Sequence, residues 1–161
     1  MRYIALDVDG VLNSMQPTDH SFSTFGYVNG SKYRLNLDKR HAQWLTDLAK
    51  EHDATLIWGT TWGELANTQI GPKIGLPHLD CPDFGPQKFS QSNAAWKYNG
   101  VLKYTGDNPC VWLDDDPDIG SLSRGTRLRH IQVNPDKGLT GSDIDRAANV
   151  LKLMKEGTDD V

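Results

Sequence analysis

The sequence is poor in cysteine, with only Cys81 and Cys110, and it has no long apolar run. Two cysteines cannot staple a chain of 161 residues with disulfides, so a reducing, cytoplasmic setting is the simplest expectation. Without a long apolar run, no membrane span is predicted. The apolar N-terminal stretch is interrupted at Asp7 and does not predict a signal peptide.

An excess of positive charge is also absent. The chain has 17 Lys and Arg against 21 Asp and Glu, a net charge of −4 with neutral histidines. This excludes a histone-like basic protein but allows a local basic patch. Repeats and low-complexity segments are missing as well. A hydrophobic content of 37% over this length predicts one domain with one core, spanning residues 1–161.

Four short apolar runs predict buried strands, at residues 3–8, 54–58, 110–113 and 128–133. Helical patterns separate them. We expect helices at 37–51 with Asp38 as N-cap, at 64–67, in part of 92–104, and after the capping box Thr140-x-x-Asp143. Strands that alternate with helices predict an α/β fold with a Rossmann-like parallel sheet flanked by helices.

Two segments interrupt this alternation. Residues 14–36 are polar and aromatic, and we interpret them as a long loop or a short flap. Residues 62–96 form an irregular insertion, in which the four prolines of 70–87 predict loop. Both segments are too short for a separate folded domain.

Polar residues follow three of the predicted strands: Asp7 and Asp9, Thr60 and Thr61, and Asp114 and Asp115. In parallel α/β sheets, ligands bind beyond the carboxyl ends of the strands. Asp7 and Asp9 are two residues apart and point the same way along an extended chain. The alternative is that both aspartate groups belong to turns and never meet.

Carboxylates from two strand ends suit Mg²⁺, a hard cation that takes oxygen ligands. The hydroxyl of Thr60 and nearby backbone N–H groups suit a phosphoryl oxygen, although Thr60 could simply cap a helix. A lysine would offset the negative charge, and both Lys88 and Lys97 precede Asp114. Together these groups predict phosphoryl transfer through a carboxylate nucleophile.

Four motifs in this order resemble those of the haloacid dehalogenase (HAD) superfamily of phosphohydrolases. They are DVDGVLN at residues 7–13, LIWGT at 56–60, Lys97 within WKYNGV at 96–101, and VWLDD at 111–115. Lys97 is preferred to Lys88 because, in similar small HAD proteins, this lysine lies just ahead of a helix that leads into the DD strand.

The resemblance implies that Asp7 is the nucleophile and that Asp9 is the general acid and base, with its main-chain carbonyl as a metal ligand. It implies that Thr60 and Lys97 hold the phosphoryl group, with Thr61 as a neighbouring candidate. An aspartate at position 9 favours hydrolysis, because HAD enzymes that stop at phosphoryl transfer or dehalogenation often lack it.

The resemblance further implies Mg²⁺ as cofactor. Asp115 is expected to supply the second metal carboxylate, with Asp114 orienting it or Lys97, although either aspartate could be the direct ligand. An outer acidic ligand is left open, because Asp118 comes early and Ile119 occupies one expected place.

In that superfamily, cap domains are inserted after the first motif or between the second and third motifs. The short segments 14–36 and 62–96 therefore imply a minimal cap or none, and such an open site admits large substrates. The pattern Trp58-x-Thr60-x-Trp62 with WLDD resembles small HAD domains linked with RNA repair proteins, similar to polynucleotide-kinase phosphatase domains. The expected substrate is a phosphorylated nucleic-acid end or nucleotide, with small metabolites or phosphoproteins as alternatives. Asn13, Trp62 and Arg124 are further substrate-binding candidates, since tryptophans stack on bases and Arg124 begins a basic cluster.

Three other functions compete. A regulatory HAD-like domain could bind Mg²⁺ without catalysis. A response-regulator receiver also combines Asp, Thr, Lys and Mg²⁺, but there the acidic pair follows the first strand and the phosphorylated aspartate comes later. A binding module without metal would use both acidic motifs only as turns.

Overall fold

The computed structural model describes residues 1–159, with side chains described up to Met154. Its strands are β1 Arg2–Leu6, β2 Phe22–Val28, β3 Ser31–Leu37, β4 Ala54–Trp58, β5 Cys110–Asp114 and β6 Leu128–Gln132. Four of them form a parallel sheet in the order β4-β1-β5-β6. This arrangement confirms the predicted Rossmann-like α/β fold.

Helices pack on the sheet and connect its strands. They are α1 Arg40–Glu51, α2 Ala66–Gln69, α3 Gly71–Ile74, α4 Asn93–Thr105, α5 Pro117–Leu122 and α6 Gly141–Asp159. The predicted capping box is confirmed, because Thr140 N donates to Asp143 Oδ2 at 2.9 Å and Asp143 N donates to Thr140 Oγ1 at 3.3 Å. Within residues 1–159, no helix has both the length and the apolar character needed to cross a bilayer.

The core has one part on each face of the sheet. Successive strand residues point to opposite faces, so Ile4 and Leu6 pack on the side of α1 and α6, whereas Ala5 packs on the side of α4. Leu6 pairs with Trp58 on one neighbouring strand and with Leu113 on the other. This register brings the carboxyl ends of β4, β1 and β5 to the same edge.

The predicted flap at 14–36 contains an antiparallel hairpin of β2 and β3. Its turn, Asn29-Gly30, has φ values of 51° and 81°, the left-handed pair that two-residue hairpin turns favour. Because β3 continues to Leu37, helix α1 begins at Arg40 rather than at the predicted residue 37. The N-cap of α1 is Lys39, which makes no side-chain cap, so the prediction of Asp38 as N-cap is wrong. Asp38 instead accepts a hydrogen bond from Arg40 N, the first residue of the helix, at 2.9 Å.

The insertion at 62–96 is more helical than predicted. After one 3₁₀ turn, Gly63–Leu65, the short helices α2 and α3 follow, and α3 lies inside the stretch 70–87 that was expected to be loop. The rest remains irregular up to Ser92, whose hydroxyl caps α4 by accepting a hydrogen bond from Ala95 N at 3.1 Å. Neither insertion forms a cap domain in the described part of the chain.

Candidate active site

Backbone hydrogen bonding between neighbouring strands continues one residue past the ends of β1 and β4. Asp7 N donates to Leu113 O at 3.0 Å, and Gly59 N donates to Leu6 O at 2.9 Å. These bonds place Asp7, directly after β1, between the end of β5 and the segment that leads to Thr60. The two neighbouring strands therefore deliver polar groups to either side of Asp7.

Asp7 is only 4% exposed and faces a buried lysine. Lys97 Nζ lies 3.3 Å from Asp7 Oδ2 and 2.8 Å from Asp114 Oδ2. Asp7 Oδ1 also accepts a hydrogen bond from Val8 N at 2.8 Å. Lys88 is exposed in the irregular insertion, so the structure brings Lys97, and not Lys88, to the aspartates.

Three carboxylates meet at this point. One oxygen each of Asp7, Asp114 and Asp115 lies within 4.8 Å of the other two. Burial and the nearby Asp114 raise the pKa of Asp7 well above its usual value. The same two causes raise the pKa of Asp115 to about 6. The cluster thus concentrates more negative charge than one lysine offsets, and its oxygen donors fit a hard divalent cation.

Lys97 stays charged in this environment. Burial favours the neutral amine, but Asp7 and Asp114 outweigh it and raise the pKa of the Lys97 ammonium above its ordinary value. Asp114 Oδ1 meanwhile accepts a hydrogen bond from Asp116 N at 2.8 Å. Both oxygens of Asp114 therefore already accept a hydrogen bond, which suits a residue that orients Lys97.

Gly10 makes room for the cluster. A Cβ atom on Gly10 would lie 2.5 Å from Cγ of Asp115, and the residue has a φ of +80°. Glycine is the residue that takes this φ without strain and lets a side chain approach so closely. The turn after Asp9 therefore forms the surface on which the Asp115 carboxylate rests.

Asp9 is half-buried and is held apart from the three-carboxylate cluster. Asn13 Nδ2 donates to Asp9 Oδ1 at 3.0 Å, and Trp62 Nε1 donates to Asp9 Oδ2 at 3.0 Å. The Asp9 side chain is thus directed towards residues 13 and 62, while its main-chain carbonyl is the group that the family resemblance assigned to the metal.

Thr60 and Thr61 have different surroundings. Thr60 is fully buried, and its Oγ1 accepts a hydrogen bond from Trp62 N at 3.2 Å, as expected if it caps the following turn. Thr61 is exposed. The cap is compatible with a phosphoryl contact, because the Thr60 hydroxyl keeps its own proton to donate.

A pocket of about 310 Å³ opens beside Asp9, between the β2–β3 hairpin and the turn after Thr60. Its lining includes Asp9, Asn13, Tyr33, Arg34, Thr61 and Trp62. The rings of Tyr33 and Trp62 meet edge to face, with centroids 6.1 Å apart. The sequence candidates Asn13, Thr61 and Trp62 therefore lie together at this pocket.

Arg124 is not brought to this edge of the sheet. It lies in the turn in which Thr126 N donates to Ser123 O, just before β6 begins. The neighbouring Arg127 O accepts a hydrogen bond from Cys110 N at the start of β5. Parallel strands start at the same edge, so Arg124 lies towards the edge opposite to Asp7, and its role in substrate binding stays a prediction.

The hairpin residues Gly26, Tyr33, Arg34 and Asn36 were missed as contributors to the site. Asn36 N donates to Asn13 Oδ1 at 2.8 Å, and Gly26 packs against Trp62. The Asn29-Gly30 pair inside an alternating aromatic stretch was the signal that could have predicted the hairpin. Its position over the site depends on tertiary packing and has no comparable signal.

A Rossmann-like parallel sheet that gathers an aspartate after its first strand, a buried lysine and a later aspartate pair defines an HAD-like domain. Comparison with protein families matches residues 3–144 to the HAD domain in Swiss Army Knife RNA repair proteins. The chain belongs to this family, which confirms the suspected resemblance. A search of curated proteins found no match.

Proposed function

We propose that this protein is a Mg²⁺-dependent phosphomonoester hydrolase that forms an aspartyl-phosphate on Asp7. The observation that carries the proposal is the buried Asp7 carboxylate, which contacts Lys97 Nζ and lies within 4.8 Å of Asp114 and Asp115. Membership of the HAD family supports hydrolase chemistry at this position.

The reaction has two steps. In the first, a carboxylate oxygen of Asp7 attacks phosphorus, the bond to the ester oxygen breaks, and that oxygen takes a proton from Asp9. In the second, water attacks the phosphorus of the aspartyl-phosphate and gives a proton to Asp9, and the bond to Asp7 breaks. One water is consumed, an alcohol and inorganic phosphate are released, and both aspartates are restored.

Asp7, Asp115 and the main-chain carbonyl of Asp9 are the groups proposed to hold the metal. Bound Mg²⁺ would offset the negative charge of the carboxylates and of the phosphoryl group. Asp114, whose two oxygens are occupied by Asp116 N and Lys97, would orient the lysine. Lys97 and Thr60 would contact the phosphoryl oxygens.

The proposed substrate is a phosphorylated nucleic-acid end or a nucleotide. The family description links such domains to RNA repair. The pocket beside Asp9 adds two aromatic rings and Arg34, whose guanidinium would suit a neighbouring phosphate. The absence of a cap domain in the described residues leaves room for a long polymer.

The test is phosphate release from p-nitrophenyl phosphate with and without Mg²⁺. Wild-type protein should turn over only with the metal, and Asp7→Asn should reduce kcat by at least 10³-fold, a rough expectation for loss of a nucleophile. Asp107→Asn is the matched control, because Asp107 is exposed beside Arg2, at the edge where β1 begins, and should leave turnover unchanged. Equal turnover of Asp7→Asn and wild type would refute the proposal.

The substrate class needs a separate comparison. Oligonucleotides with a 3′-phosphate or a 5′-phosphate, nucleotides, sugar phosphates and a phosphopeptide should be ranked by kcat/KM. A preference for an oligonucleotide or nucleotide is expected. A preference for a sugar phosphate or the phosphopeptide would replace the nucleic-acid assignment while leaving the hydrolase assignment intact.

A further inference from the structure

We infer that the pocket between the hairpin and Trp62 is the subsite for the leaving group, and that it takes an alcohol carrying one planar aromatic ring. This inference rests on the proposed function, because it takes Asp9 as the acid that protonates the ester oxygen. Asp9 lines the pocket. The group attached to the ester oxygen that Asp9 protonates would therefore extend into the pocket.

The shape and lining of the pocket select the ligand. Its volume of about 310 Å³ is near the lower limit for small-molecule sites, which fits one ring system rather than a large group. Val28, Leu35 and Leu65 supply apolar walls beside the two aromatic rings. Planar rings gain from contact with such walls more than puckered or open-chain groups of similar size.

Tyr33 is the residue through which this subsite can be tested. It is 49% exposed, so truncation should leave the fold intact, and its ring forms one wall of the pocket. Tyr27 offers a matched control, because it lies on the same hairpin and is also 49% exposed but is not part of the pocket wall.

The experiment compares kcat/KM for benzyl, cyclohexylmethyl and ethyl phosphate, which all release simple alcohols. Wild-type protein should prefer benzyl phosphate by about tenfold. Tyr33→Ala should lower kcat/KM for benzyl phosphate far more than for ethyl phosphate and so remove most of that preference, and Tyr27→Ala should behave as wild type. Turnover of all three esters at equal rates, or retention of the preference in Tyr33→Ala, would overturn the subsite. Failure of all three esters with Mg²⁺ would instead refute the hydrolase.

A second inference is carried by hydrogen bonds rather than by the pocket. We infer that the hairpin is a positioning element for Asp9. Both side chains that donate to the Asp9 carboxylate, Asn13 and Trp62, are themselves held by hairpin residues.

The two supports reach Asp9 from different points of the hairpin. At its base, Asn36 N donates to Asn13 Oδ1 at 2.8 Å. Further along, a Cβ on Gly26 would lie only 2.9 Å from Cη2 of Trp62, so the hairpin backbone packs directly on the indole. Displacement of the hairpin would therefore move the donors of both carboxylate oxygens.

Positioning of an acid matters most when the leaving oxygen is basic, because a good leaving group departs without a proton. Phenyl phosphate and p-nitrophenyl phosphate carry the same ring but differ in the basicity of the departing oxygen. Their kcat/KM values report the step in which that oxygen leaves. Both esters place an aryl ring in the pocket, so the change in the ratio of the two values between a variant and wild type reports mainly the contribution of Asp9.

Trp62→Phe removes the Nε1 donor and keeps an aromatic ring. It should lower kcat/KM for phenyl phosphate at least about tenfold more than for p-nitrophenyl phosphate. Gly26→Ala, which pushes the indole without touching Asp9, should change the ratio in the same direction. Trp96→Phe, whose Nε1 donates to Gly85 O away from Asp9, is the control and should leave the ratio unchanged. If Trp62→Phe and Gly26→Ala lowered kcat/KM equally for both esters, the hairpin would have only a structural role and the inference would be overturned.

Discussion

The ammonium of Lys97 lies 2.8 Å from Oδ2 of Asp114, and both side chains are almost completely buried. The same ammonium reaches Asp7 at 3.3 Å. One positive charge thus lies between carboxylates from two adjacent strands. This arrangement leaves an excess of negative charge at the carboxyl edge of the sheet once the half-buried Asp115 is included.

Lys97→Ala should abolish most activity and destabilise the fold. Removing one partner of a buried ion pair typically costs about 3–5 kcal/mol, because the remaining charges lose their compensation. Turnover of p-nitrophenyl phosphate, corrected for the folded fraction from urea titration, should fall by about 10²-fold or more. Lys88→Ala is the control, and equal losses in the two variants would contradict the role given to Lys97.

Magnesium should stabilise the protein against unfolding. A ligand that is present at 100 times its Kd for the folded state adds about 2.7 kcal/mol to the free energy of unfolding. Asp7 and Asp115 are the carboxylates proposed to hold the metal. Thermal unfolding with MgCl₂ should give a higher Tm than with KCl of equal ionic strength. Asp115→Asn should reduce this shift while Asp107→Asn keeps it. An unchanged shift in Asp115→Asn would remove Asp115 from the metal site.

Gly10→Ala should damage both stability and the metal site. The new methyl would meet the Asp115 carboxylate in a backbone region that L-residues avoid. Gly30→Ala is a matched control, since Gly30 has nearly the same φ, +81°, but nothing within 4 Å of its added Cβ. Gly30→Ala should cost only the backbone strain, about 1 kcal/mol. Gly10→Ala should lower the free energy of unfolding by more than Gly30→Ala does and should weaken the Mg²⁺-dependent Tm shift. Equal losses of unfolding free energy in the two variants would argue against the contact with Asp115.

His41 should make stability fall in mild acid. Burial lowers the pKa of its imidazole, despite the opposing effect of Asp38, Asp143 and the Leu139 carbonyl. Nε2 of His41 lies 2.9 Å from Leu139 O, which fixes the neutral tautomer with its proton on Nε2. Below the unfolded pKa of about 6.5, the unfolded chain therefore binds a proton more readily than the folded one.

The sign follows directly: the stability contributed by neutral His41 is present above about pH 6.5 and is lost as the pH falls towards its lower folded pKa. Urea unfolding at a series of pH values between 7.5 and 5.5 should show a smaller slope for His41→Gln than for wild type. For one proton, the slopes of the unfolding free energy against pH should differ by at most about 1.4 kcal/mol per pH unit. Identical slopes would exclude His41 as the source.

The two acidic motifs could be predicted from sequence because each is local. DVDG and VWLDD place carboxylates directly at the ends of apolar runs, and parallel strands bring such ends to one edge. Arg124 shows the limit of this reasoning. It follows β5 closely in sequence, but α5 carries the chain back across the sheet, and Arg124 lies near the edge where β6 begins.

The sequence alone determined the alternation of strands and helices, because periodicity and strand ends are local properties. That alternation places Asp7, Thr60 and Asp114 at one edge of a parallel sheet. Tertiary structure decided which long-range partners meet there. Lys97, which the family resemblance already favoured over Lys88, contacts Asp7 and Asp114. Trp62 donates to Asp9, and the hairpin packs against Trp62. Those contacts depend on how separated segments pack, and no short stretch of sequence encodes that packing.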